Sequence, residues 1–98
     1  MKTGKMNLSD YLFMQFRTMT PTLDQVGTIY YPHLSKAKLL EKARKNDFPF
    51  VCYKLDRTQK APYFVDIIDL AFVLNKNYED YAKDYELITK HSLSLAEN

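Results

Sequence analysis

The residues in this 98-residue chain that could do chemistry are few and scattered. Gly4 and Gly27 are its only glycines, too few for the Gly-rich loop that cradles a phosphate chain. His33 and His91 are the only histidines and Cys52 the only cysteine, so the usual zinc sets cannot be completed. Cys52 has no base beside it in sequence and reads as an unreactive thiol on a half-covered strand face. His33 falls in a turn, where it either touches a phosphate or fills space. Asp66 and Asp69 are close enough to suggest paired-carboxylate chemistry, but they open an apolar helical stretch and read as its caps, an acidic capping box. The run 91-HSLS-94 reads as tail. No catalytic, metal or cofactor site emerges, and an enzyme is not expected.

Positive charge is what the sequence does concentrate. Residues 33–60 carry eight basic groups against three acidic ones, whereas residues 61–98 carry three against seven. A basic middle beside an acidic end points to one side facing a polyanion. A single cysteine, no apolar export signal and no apolar run of membrane-spanning length fit a soluble protein of a reducing, cytoplasmic setting.

The elements that must position this charge follow from the spacing of apolar residues and breakers. Residues 8–17 read as a short helix capped by Ser9, with Leu12, Phe13 and Phe16 inward, although a strand fits nearly as well. Thr20 or Thr22 caps a helix over 22–31 with Leu23, Val26 and Tyr30 on one face. Gly27 weakens that helix by roughly 1 kcal/mol relative to Ala and suggests a close helix–helix contact. Pro32 and His33 break the chain, and Ser35 caps a second helix over 35–47. On this helix Leu39, Leu40 and Ala43 group as the core side, with Ser35, Lys38, Lys42 and Lys45 on the other, where Glu41 gives the lysines little relief.

Residues 50–66 read as two strands, 50–55 and 62–66, joined by the polar tip 56-DRTQKA-61. Val51, Tyr53 and Leu55 are the expected core face, because Lys54 on the alternate face belongs in solvent. A helix over 66–75 then buries Ile67, Leu70, Ala71 and Leu74, and 75-NKN-77 separates it from a last helix over 78–91. Helix, tight turn, basic helix and ribbon is the order of a winged helix-turn-helix, in which the second helix enters the DNA major groove. The expected fold is therefore α+β: a winged helix-turn-helix domain over 1–75, then a C-terminal amphipathic helix and tail over 76–98.

The segments 12-LFMQF-16, 21-PTLDQVGTIYY-31, 34-LSKAKLLEKA-43 and above all 59-QKAPYFVDIIDLA-71 resemble the pyocin activator (PrtN-like) family of transcriptional regulators in prophage and phage-tail bacteriocin clusters. The resemblance spans about residues 11–75, with Thr58 where that family usually has Ser. A long acidic, Tyr-bearing C-terminal helix and a Lys-richer second helix depart from its pattern. The resemblance implies a sequence-specific DNA-binding activator in which Ser35, Lys38 and Lys42 face the groove and Gln59 and Lys60 serve the wing. Lys36, Arg44, Lys45, Arg57 and Thr58 complete the candidate DNA-binding set from their places on the helix and the tip. Double-stranded DNA is the expected partner and RNA polymerase a further candidate.

Two other readings compete. An excisionase-like architectural protein would share the fold and act by bending DNA. A protein-interaction module would instead work through Tyr78, Tyr81, Tyr85 and Ile88, which line one stripe of the last helix and are the expected homodimer contact.

Overall fold

The computed structural model describes residues 7–97, with side chains through Thr89. Gly4 and the side chains of 91-HSLS-94 lie outside them, as does most of the segment searched for an export signal. Among these residues, four helices and a small antiparallel sheet give an α+β arrangement. Helix α1 (Leu8–Phe16) is capped by Asn7, whose side chain accepts the Asp10 N–H at 2.9 Å, and not by Ser9, whose hydroxyl donates to the same oxygen. Leu12 and Phe16 are buried while Phe13 faces outward. Helix α2 (Leu23–Tyr30) opens with a full capping box between Thr22 and Gln25. Gly27 lies under Leu39 of the next helix: a Cβ placed there would stand 2.5 Å from Leu39 Cδ1. That approach is what the glycine permits.

Residues 31–35 turn the chain into helix α3 (Lys36–Arg44), where the Ser35 hydroxyl oxygen accepts the Lys38 N–H at 3.2 Å. The helix stops three residues short of the expected 47. Asn46 takes a left-handed conformation, φ 53°. The N–H groups of Asn46 and Asp47 then bond back to the Ala43 and Lys42 carbonyls, the two bonds of a Schellman ending.

After this ending, Phe48 and Phe50 stack with centroids 5.1 Å apart, and Tyr31 meets Phe48 edge-on at 5.1 Å. This aromatic cluster reverses the expected face of the first strand. Phe50 is buried and Cys52 half-buried, while Val51 and Leu55 are 65% and 80% exposed. The regular ladder is also shorter than expected, with only Cys52–Tyr53 (β1) pairing with Phe64–Val65 (β2). β2 is held on its other edge by the segment before α2. There Leu23 N–H donates to the Tyr63 carbonyl at 2.8 Å, and Val65 N–H to the Pro21 carbonyl at 2.9 Å. The ribbon is thereby tied to both the entry of α2 and the exit into the last helix.

Helix α4 runs without interruption from Ile67 to Glu97, so 75-NKN-77 is no break. Asparagine costs a helix only a few tenths of a kcal/mol, far less than the Pro or Gly that stops one. A Lys76–Asp80 ion pair at 3.7 Å spans the site. Asp66 does cap, accepting the Ile68 N–H at 2.8 Å. Asp69 does not close a capping box; its carboxylate accepts the Val51 N–H at 2.9 Å and ties α4 to the ribbon. Ile67, Leu70, Ala71 and Val73 of α4 join Leu12, Val26, Leu39 and Val65 in one core. Among the described residues no helix is long and apolar enough to cross a membrane.

Candidate nucleic-acid interface

The basic residues of α3 divide into two groups. Leu39 and Ala43 point into the core, but Leu40, expected with them, is 39% exposed. Lys38 and Lys45 both pair with Glu41, at 3.6 and 3.2 Å, so Glu41 gives the lysines the relief that its spacing did not promise. The hydrogen bond from Lys45, with the charges of both lysines, holds the Glu41 carboxyl below its ordinary range. Lys42 turns the other way, pairing with Asp47 at 3.3 Å and lying over the Phe48 ring at 5.2 Å. The Schellman ending puts Asp47 there, so one local motif both stops the helix and engages a lysine. Lys38, Lys42 and Lys45 thus form a flank that meets acidic side chains of its own domain. Ser35 spends a lone pair on its cap.

The ribbon tip is organised from within. The Lys54 ammonium donates to the Thr58 and Gln59 carbonyls, both at 3.3 Å, and sits over the Tyr63 ring at 4.9 Å. Lys54 therefore holds the loop instead of reaching into solvent. Asp56 accepts the Thr58 N–H at 3.3 Å, and the Thr58 carbonyl closes a turn with the Ala61 N–H. Arg57, Thr58, Gln59 and Lys60 are left with exposed side chains on a fixed backbone.

The tip and the other flank of α3 border one open groove of 460 Å³. Lys36 and Leu40 line it from the helix, and Gln59 and Lys60 from the ribbon. Leu39, Pro62 and Tyr63 add apolar surface, and Asp24 adds a carboxylate. Arg44 lies eight residues after Lys36 and four after Leu40, on the same side of the helix. So the structure brings Lys36, Gln59 and Lys60 together, while Lys38, Lys42 and Lys45 lie on the opposite flank of α3. Lys36, Arg44, Arg57 and Lys60 enter no ion pair among the described residues. Leu40, expected on the core side, and Tyr63, not singled out by its spacing, meet here because the groove forms between α3 and the ribbon, a tertiary arrangement. Tyr78, Tyr81, Tyr85 and Ile88 are far along α4 and exposed.

Other chemical groups offer less. Burial, with the Asp69 charge, pushes the Cys52 thiol up to about 11, so little thiolate exists at neutral pH. His33 is exposed beside Tyr31, centroids 6.2 Å apart. No group of three His, Cys, Asp or Glu that could hold a metal ion assembles among the described residues.

A small α+β chain whose helix and ribbon share a cationic, apolar-floored groove is the class that fold and site define. The family model for pyocin activator protein PrtN matches residues 9–80, from α1 into the exposed part of α4, and the chain belongs to that family. Membership points the chain towards regulation of pyocin genes. No curated protein and no solved structure matches it.

Proposed function

We propose that the protein is a winged helix-turn-helix regulator that binds double-stranded DNA and activates pyocin-type genes, without enzymatic activity. One observation carries the reading: α3 and the ribbon tip line the same groove, with Lys36 and Lys60 on its two walls. A major groove about 12 Å wide admits one helix. With α3 lying there, the tip falls against the neighbouring backbone, where Arg57 and Lys60 meet phosphates. Base readout falls to few side chains. Arg44 can take guanine, Gln59 adenine, and Leu40 a thymine methyl group. Asp24 and Glu41 oppose phosphate and so restrict how the duplex can lie. The activator role rests on the family's name.

Fluorescence anisotropy of a duplex from upstream of the protein's own gene cluster, beside a scrambled duplex, tests the reading across a salt series. Four unpaired cations predict a log–log salt slope of about −3 to −4, and specific binding about a thousandfold or more above nonspecific. Lys36→Ala with Lys60→Ala should cost more affinity than Lys38→Ala with Lys42→Ala. Absence of salt-dependent binding sinks the DNA reading. A larger loss from Lys38 and Lys42 moves the contact to the other flank of α3.

A further inference from the structure

The unbroken course of α4 gives its exposed stripe a register. Counting from the core, Ile67, Ala71, Leu74, Tyr78, Tyr81, Tyr85 and Ile88 recur at alternating steps of four and three. That is the heptad seam of a two-stranded coiled coil, with Ala71, Tyr78 and Tyr85 at a and Ile67, Leu74, Tyr81 and Ile88 at d. The first turns of the seam are covered by the chain's own body. Beyond Leu74 nothing in the described residues covers it: Tyr78, Tyr81, Tyr85 and Ile88 are 73%, 76%, 71% and 67% exposed. Lys76 and Lys83 fall at f, on the back of the helix, with Glu79, Asp80 and Glu86 beside them.

We propose that a second copy of this chain covers this seam beyond Leu74, forming a helix-to-helix dimer through α4. Three observations select a copy over another occupant. The seam continues the core's own heptad phase, so the partner surface is another helix with matching period. The flanking positions e and g hold Asn75, Asn77, Ala82, Asp84 and Thr89, so a copy meets itself with almost no charge opposed. Finally, three tyrosines offering on the order of 150 Å² each, together with Ile88, give roughly 1,000 Å² per pair, the threshold at which a contact becomes a biological interface. This inference needs no DNA and stands apart from the function proposed above.

Sedimentation equilibrium of the full chain, without DNA, tests it. The expected mass at tens of micromolar is twice the chain mass of 11.6 kDa, falling to one chain in Tyr81→Glu with Tyr85→Glu. Those positions are exposed, so circular dichroism should show the globular fold retained. Lys83→Glu, on the back of the helix, should remain dimeric. A monomeric wild-type chain, or a dimer that survives the double glutamate variant, overturns the proposal.

Discussion

Lys54 stands 4.9 Å over the Tyr63 ring, and from there its ammonium holds the carbonyls of Thr58 and Gln59. A cation on the ribbon's inner side thus fixes the loop that carries the outer ones. Lys54→Met keeps most of the stem while removing the charge. It should cost about 1 kcal/mol of stability, the combined scale of one exposed cation–π contact and weak carbonyl bonds. DNA affinity should fall severalfold, because the tip must then be ordered on binding. Urea unfolding and anisotropy check the two effects, and an unchanged affinity would show that the tip needs no such brace.

Gly27 and Leu39 set how closely α2 and α3 approach. In most helices Gly→Ala gains about 1 kcal/mol. Here the added Cβ would stand 2.5 Å from Leu39 Cδ1 and 3.3 Å from Cγ, so the whole buried side chain must move. Overpacking of this kind costs about 1–3 kcal/mol. Gly27→Ala should therefore be net destabilising by about 1 kcal/mol in urea. It should also weaken DNA binding, since Leu39 is part of the groove wall. A stabilised variant would mean that Leu39 repacks freely.

How much of this was legible in the sequence depends on the range of the interaction that decides it. Caps are local, so Ser35, Thr22 and Asp66 could be read from a few neighbours, and Gly27 announced its close contact. The face of the first strand turned on one assumption, that Lys54 faces water, and a one-residue choice inverts every side chain. The Phe48–Phe50 stack and the Tyr63 ring decide it, and both are tertiary. The break at 75–77 failed because two asparagines are weak stop signals. The groove flank of α3 was hidden because helical spacing ranks Lys38, Lys42 and Lys45 as a face without revealing that Glu41 and Asp47 engage them.

Phe50 and Val51 give that reversal an energetic test. Phe50→Ala removes a stacked ring from the core and should cost about 3–4 kcal/mol. Val51→Ala, at a position 65% exposed, should stay within about 0.5 kcal/mol. Urea midpoints of the two variants compare them directly. The opposite ranking would restore Val51, Tyr53 and Leu55 as the inner face.

Glu41 is the residue whose removal should improve DNA binding. It occupies both Lys38 and Lys45, so Glu41→Gln releases two cations on α3 without changing its shape. Nonspecific affinity at low salt should rise several-fold and the salt slope should steepen by about 1–2. Thermal stability should hardly move, because all three side chains are exposed and such pairs are worth little. The pH dependence has a definite sign. The lysines hold the Glu41 carboxyl below its ordinary range, so the charged clamp persists through that range as pH falls and is lost only below it. Wild type and Glu41→Gln should therefore differ at pH 5 and converge at lower pH, as the wild-type carboxyl protonates. Anisotropy with a scrambled duplex at both pH values reads this out. Equal affinities at pH 5 would mean that Lys38 and Lys45 lie beyond reach of the phosphates, confining the contact to the Lys36 flank and the ribbon tip.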